Sequence, residues 1–283
     1  MTTTEAFDLA ALALTGLFAL LLPLELWRYH RQRRLDAGAW KELGASASAV
    51  IPSLLVAPLV VAFITALFTI AAALAPWRIP VNLPTCLLAL VAVDFLYYWD
   101  HRVAHRVRLI WAAAHSVHHS SPLYNQTVGL RVSFVDGFTS PWFYVPAVLA
   151  GFDPVVVASA FGLMLGYQQW LHTEAIGRLP LLDGWLNTPS NHRVHHGVQP
   201  QYIDRNYGGI FMLWDRLFGT YAPEAEPVRY GLTEPIGSAN PLTVHGAEAA
   251  KLWRDLRAVP GWRDRLALLV NPPGWRAGTS TSD

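Results

Sequence analysis

The sequence predicts an all-α integral membrane protein with about five transmembrane helical segments, three single spans plus a helical hairpin, and a cytosolic helical cap holding a histidine-rich dimetal site. Three observations carry that prediction. Of the 283 residues, 53% are hydrophobic and only 14% charged, with a positive mean hydropathy; soluble domains average roughly 25% charged residues. Long uncharged runs recur, and a soluble core rarely needs stretches of about 20 apolar residues. Eleven histidines are present, and nine of them fall into clusters that follow those runs. The length suits one large domain or two small ones. A net charge of +1 gives no case for a nucleic-acid partner. The single cysteine, Cys86, lies inside an apolar run and has no second cysteine to pair with.

The first apolar run, Leu9 to Leu24, has Glu5 and Asp8 before it and Arg28, Arg31, Arg33 and Arg34 after it. A cleavable signal peptide carries its basic residues in front, so this run is expected to be a retained anchor. The second, Ala45 to Ala75, is longer than one span requires, which suggests tilt or an interfacial start. The third, Leu83 to Trp99, is interrupted only by Asp94. A fourth region, Val132 to Leu171, is broken at Gly151-Phe152-Asp153-Pro154, a turn signal, and reads as a hairpin of two membrane helices. Residues Gly246 to Val270 mix helically spaced apolar positions with Lys251, Arg254, Arg257, Arg263 and Arg265, broken by Pro260. They suit either interfacial helices or an ordinary packed pair. The tail, Arg276 to Asp283, is expected to be disordered. The chain thus divides into anchor helices (1–82), a catalytic domain (83–245) and an amphipathic segment with its tail (246–283).

Charge asymmetry orients the spans. The segment from Arg28 to Lys41 holds five basic residues, against Arg78 alone between Pro76 and Asn82, so the positive-inside rule puts the first segment in the cytosol. Following the chain, the third span then delivers His101 to the cytosol and the hairpin delivers His172 to the same side. In a bacterium this would be the inner membrane.

His101 and His105 stand i, i+4 at the end of the third span. His115, His118 and His119 stand i, i+3, i+4, and His192, His195 and His196 repeat that spacing. Residues three and four apart share a helix face, so each cluster is expected to point its imidazoles at one place. Thr188 as N-cap, Pro189 in the first turn and Gly197 at the end predict a short helix under the last cluster. His172 stands alone where the hairpin returns. His30 and His245 read as ordinary residues. Nine imidazoles crowded together would repel one another on protonation, and a bound metal removes that problem by taking the neutral nitrogens. One structural zinc uses four ligands, whereas nine suit two metals with positions to spare. Imidazole alone accepts zinc, copper, iron or nickel; aliphatic lipid chemistry at a membrane face favours iron, which zinc can replace in purified protein.

The order His-x-x-x-His, His-x-x-His-His, His-x-x-His-His after membrane helices resembles the fatty acid hydroxylase and sterol desaturase superfamily. The words Asp94-Phe-Leu-Tyr-Tyr-Trp-Asp-His-Arg, His118-His-Ser-Ser-x-x-Tyr-Asn125, Trp170-Leu-His-Thr-Glu174, Asn187-Thr-Pro-Ser-Asn-His-Arg-Val-His-His-Gly197 and Trp214-Asp-Arg-Leu-Phe-Gly-Thr220 are similar to its alkylglycerol monooxygenase branch. The resemblance covers roughly residues 83 to 245. It implies a helical membrane fold and a non-haem di-iron centre that uses O2 to hydroxylate or desaturate lipids. It also implies that His101, His105, His115, His118, His119, His172, His192, His195 and His196 are the ligands. Many members have a further histidine where this chain has Gln168. For the alkylglycerol branch it implies tetrahydrobiopterin as external reductant, a ferredoxin or cytochrome being the alternative donor.

Metal-bound imidazoles usually donate their other N–H to a carboxylate or carbonyl. Asp94, Glu174 and Asn191 are the catalytic candidates on that ground, and Asp94 lies two helical turns before His101 within a span, where a carboxylate is costly. Asp100, Asp204, Asp215, Asn125 and Asn187 are weaker candidates. The expected partners are a lipid in the membrane, O2 and an external electron donor. A sterol desaturase or sterol methyl oxidase would use the same centre. A metal transporter would place its ligands at mid-membrane rather than at one edge.

Overall fold

The computed structural model describes residues 3–276; the expected disordered tail, beyond Arg276, lies outside the described residues. Helix α1 (Thr3–Arg31) is followed by α2 (Ala37–Ser48), α3 (Val50–Leu74) and α4 (Leu83–Arg106). The ends are set by side chains that satisfy the first orphan N–H groups. Asp36 accepts from Ala39 N at 2.7 Å. Asn82 and Thr85 cap each other's backbone N–H at 3.1 Å, a reciprocal capping box ahead of α4. At about 1.5 Å per residue, α1, α3 and α4 run roughly 36–44 Å, against a hydrocarbon core near 30 Å. Among the described residues, α1, α2–α3 taken together, and α4 are the helices long and apolar enough to cross a membrane. Leu12, Leu20, Leu55, Leu59 and Leu88 stand exposed along them, as lipid-facing residues do and as a water-soluble surface does not.

One expectation needs adjustment. The basic segment from Arg28 to Lys41 is largely helical, since α1 continues to Arg31 and α2 starts at Ala37. The hairpin exists, but only its second limb is one regular helix, α5 (Pro154–Gln168), of 15 residues. The first limb is a chain of short pieces, Asp136–Thr139, Ser140–Tyr144 and Val145–Leu149. Pro141 and Pro146 explain the breaks, since each lacks an N–H and crowds the preceding turn. At the hairpin tip Gly151 has φ +98°, and a Cβ there would meet Trp77 at 2.6 Å, so the turn needs glycine. Ile79 N donates to Gly151 O (2.8 Å) and Trp77 Nε1 to Ala150 O (2.8 Å). The tip therefore sits beside the α3–α4 connection, at the end of the molecule away from the histidines.

The apolar core lies between α1, α4 and the hairpin: Phe7, Cys86, Val93, Val148, Val156, Val157 and Met164 are buried together. Beyond α4 the chain forms a cap of short helices and loops. Helix α6 (Pro189–His195) begins at Thr188, whose side chain accepts from Asn191 N. Helices α7 (Pro241–Ala258) and α8 (Trp262–Val270) pack across the back of residues 108–119 and bury Val244, Leu252 and Leu268, leaving Trp253 and Trp262 exposed. Pro260 separates them, as expected. Among the described residues the sole β feature is a bridge between Leu186 and Phe211.

Candidate metal centre

The nine clustered histidines meet at the cap end of α4 and separate into two groups. His101, His105, His115, His119 and His195 form the first group; His118, His172, His192 and His196 form the second. In each, the candidate ligand atoms lie within 4.8 Å of one another. The expectation that each cluster points at one place is corrected here. In both His-x-x-His-His motifs the first and third histidines join one group and the middle one crosses to the other. Helix geometry explains the split. At 3.6 residues per turn, i and i+4 lie about 40° apart around the axis, whereas i+3 falls about 60° to the other side. Each motif therefore serves both groups. The rings of His119 and His196 stack at 4.2 Å between the groups. A π-helical turn, Trp111–His115, precedes His118 and sets the rotation of the first motif; such turns recur at functional sites.

The geometry fits metal ions. Nε2 atoms of neighbouring imidazoles approach to 3.1 Å (His101 and His115), 3.1 Å (His195 and His119), 3.2 Å (His172 and His118) and 3.0 Å (His192 and His172). Two nitrogens each about 2.1 Å from one metal stand roughly 3.0–3.4 Å apart. Single protons shared between pairs cannot satisfy five and four converging nitrogens, and the buried His105 Nε2 and His196 Nε2 have no hydrogen-bond partner among the described residues. Burial, followed by repulsion from neighbouring imidazoles, holds His115, His119, His172, His192, His195 and His196 well below the ordinary imidazole pKa. Burial takes His118 down to about 4. These rings are neutral at physiological pH, the state that binds metal.

The outer nitrogens of two rings in the first group are tied down. His101 Nδ1–H donates to Tyr207 O and His195 Nδ1–H to Arg205 O, both at 2.9 Å. A carbonyl only accepts, so these bonds fix the proton on Nδ1 and turn the Nε2 lone pair inward. Asp215 holds the Tyr207 turn by accepting from Tyr207 N (2.8 Å), Gly208 N (2.7 Å) and Thr220 Oγ1 (2.6 Å). Asp204 Oδ1 lies 3.9 Å from His105 Nδ1, and its other oxygen pairs with Arg106 at 2.6 Å. In the second group, the outer nitrogens of His172 and His192 meet no partner among the described residues.

Among the described residues, none of the three catalytic candidates hydrogen-bonds a histidine through its side chain. Asp94 accepts from Ile210 N (2.5 Å), Phe211 N (3.3 Å) and Trp214 Nε1 (2.8 Å). It thus fastens α4 to the loop that carries Tyr207. Glu174 pairs with Arg34 at 2.8 Å on a partly exposed surface. Asn191 donates to Asp183 O and Leu186 O and so braces α6 from below. Asn187 donates to Gly208 O at 2.7 Å, Asp100 accepts from Ser140, and Asn125 accepts from Thr127. Gln168 is buried, its oxygen accepting from Tyr97 OH at 2.8 Å and its nitrogen without a partner among the described residues. Sequence reasoning missed Glu25, Trp111, Arg131 and Tyr207. Gly208-Gly209 was a usable signal: a Cβ on Gly209 would lie 2.8 Å from Asp94 Oδ1, the mark of close backbone approach beside the site.

A cleft of about 180 Å³ reaches the first group from the cap side, lined by His105, His119, His195, Trp111, Asp204 and Pro272 among others.

Comparison with known proteins agrees with this geometry. Residues 86–220, which include all nine clustered histidines, match the fatty acid hydroxylase family model. That segment is similar to fatty acid hydroxylase domains. Alkylglycerol monooxygenase of Xenopus tropicalis is 45% identical over 203 residues, 72% of this chain and 44% of that protein. The Danio rerio protein of the same name is 46% identical over 191 residues, 68% of this chain and 42% of its own length. Lathosterol oxidase of Mus musculus is more distant, 31% identical over 133 residues, 45% of this chain and 42% of that protein. The chain spans less than half the length of these relatives. No solved structure matches it. Helix α1 lies before the segment that the fatty acid hydroxylase model covers.

Proposed function

We propose that this chain is a membrane-bound di-iron mono-oxygenase that hydroxylates a lipid, with an ether lipid of the alkylglycerol class as substrate. The observation that carries the reading is the pair of buried imidazole groups, five and four strong, at one end of membrane helices. His101, His105, His115, His119 and His195 would hold one iron, and His118, His172, His192 and His196 the other. Bound iron supplies the activation of O2 that aliphatic C–H chemistry requires and that no side chain provides. The remaining work belongs to the chain. The carbonyls of Tyr207 and Arg205 keep His101 and His195 in the binding tautomer. Burial of the rings keeps bulk water out. Apolar surfaces of α4 and the hairpin guide a lipid tail to the cap end.

One oxygen atom enters a C–H bond and the other leaves as water, at the cost of two electrons and two protons. Beside an ether oxygen the new hydroxyl makes a hemiacetal, which collapses to an aldehyde and an alcohol. The electrons come from outside the chain. The cleft beside Trp111 is the approach from solvent, and its size suits a small reductant such as tetrahydrobiopterin better than the surface of a ferredoxin or cytochrome. Five basic residues between Arg28 and Lys41 support a cytosolic position for the histidine end. Arg254→Cys, exposed on α7 in a chain whose Cys86 has been replaced, should react with an impermeant thiol reagent from the cytosolic side only; labelling from the other side inverts this topology.

The activity test uses iron-loaded protein in lipid vesicles with tetrahydrobiopterin. Addition of an alkylglycerol should drive O2 consumption and release of a fatty aldehyde, measured by mass spectrometry. Product from a sterol and none from the ether lipid would move the assignment to the sterol oxidases. Full iron loading with no O2 uptake on either substrate would overturn the oxygenase reading.

A further inference from the structure

We infer that Glu25, on the first membrane helix and outside the family-matched segment, positions the second histidine group. The inference rests on the two-metal reading above. Glu25 is 4% exposed, and no cation pairs with it among the described residues. A buried carboxylate near the end of a membrane helix is costly, so its contacts indicate what it is kept for. Its two oxygens are used separately. Oε1 accepts from Thr173 Oγ1 at 2.5 Å, and Oε2 accepts from Gln126 N at 2.6 Å. One turn further along the same face of α1, Tyr29 donates to Tyr124 O at 2.9 Å.

Both segments that Glu25 contacts adjoin His172. Thr173 follows it directly, and its carbonyl accepts from Arg193 Nη1 at 2.9 Å, next to His192. Gln126 opens the turn Gln126–Leu130, and in that turn Gly129 backs the His172 ring: a Cβ there would lie 3.3 Å from Nδ1. Tyr124 OH closes the bracket by donating to Leu171 O at 3.1 Å. Glu25 therefore joins the segment that carries the ring to the segment that backs it. His172 is the one ligand that the hairpin supplies, and its own outer nitrogen has no partner among the described residues. Among the described residues, the long-range hydrogen bonds that α1 makes to residues 124, 126 and 173–175 adjoin no histidine of the first group.

The test counts metals per chain in full-length protein purified in detergent. Wild type should hold two and Glu25→Ala about one. Glu25→Gln should return towards two, because an amide can accept from Gln126 N while Thr173 Oγ1 turns to accept from the amide. Two backgrounds identify the site. In His192→Ala, which disables the second group, Glu25→Ala should remove nothing further. In His115→Ala, which weakens the first, it should remove most of the remaining metal. If Glu25→Ala does not fold, Thr173→Val removes one of the two bonds and is read in the same backgrounds. Two metals retained in the alanine or valine variant, or equal losses in both backgrounds, would overturn the inference. A wild-type chain holding a single metal would instead overturn the two-metal reading from which it starts.

Discussion

The two histidine groups use the same side chain and differ in what holds it. Four of the five rings in the first group come from α4 and the adjoining turn at residues 111–119, and two have their outer nitrogens fixed by backbone carbonyls at 2.9 Å. Those carbonyls belong to a loop clamped by Asp94 and Asp215. The second group takes His172 from a hairpin loop and His192 and His196 from a helix of two turns, and it relies on more remote bracing by Glu25 and Arg193. Two rings of the first group are oriented through hydrogen bonds to their outer nitrogens, whereas His172 and His192 of the second are held through the segments that carry them. The same chemistry is thus held by two kinds of support, which should fail separately.

The largest effect expected is at the crossing histidines. His118→Ala should remove the second group's metal and cut turnover by more than the roughly 10–100-fold typical of losing an outer partner. The spans should stay intact by circular dichroism, since the change lies in the cap. Normal turnover with full iron content would remove His118 from the ligand set. Asp215→Ala comes next. It strips the acceptor from Tyr207 N, Gly208 N and Thr220, and metal affinity at the first group should fall about 10–100-fold while the second group holds. Loss from both groups together would show that the two supports are one.

A broader and weaker effect is set by pH in the metal-free protein. The cap histidines have folded pKa values below their unfolded value of about 6.5, with His118 at about 4. Between those values the unfolded chain binds more protons than the folded one, so stability rises with pH across that window. It should be complete above about pH 6.5 and decline as the pH falls below it, measured by thermal melting. A pH-independent melt between 4 and 7 would contradict the burial of these rings. The smallest effect is His30→Ala on the exposed end of α1, expected to change stability by no more than about 0.5 kcal/mol and turnover not at all.

Much of this arrangement was legible in the sequence, for identifiable reasons. The spans follow from hydropathy, and α6 from Thr188 and Pro189, because both are local signals. The hairpin tip was visible as Gly151-Phe152-Asp153-Pro154; the broken first limb was also written there, in Pro141 and Pro146, beneath a strong apolar signal. The division of the histidines into two groups was available from helix rotation alone. The bracing was not. Glu25 meets Thr173 across 148 positions, Asp94 meets Ile210 across 116 and Arg131 meets Glu42 across 89, and no periodicity in one sequence encodes such pairings. Asp94 shows the difference: its costly burial could be read from its place in a span, whereas its partners, three N–H groups rather than an imidazole, could not.

The central claim is that the nine histidines form two separate metal sites, and anomalous diffraction from crystals of the iron-loaded protein, collected at the iron edge, tests it most directly. Two peaks are predicted, one enclosed by His101, His105, His115, His119 and His195 and the other by His118, His172, His192 and His196. A single peak shared by both groups, or a peak outside them, would contradict the account.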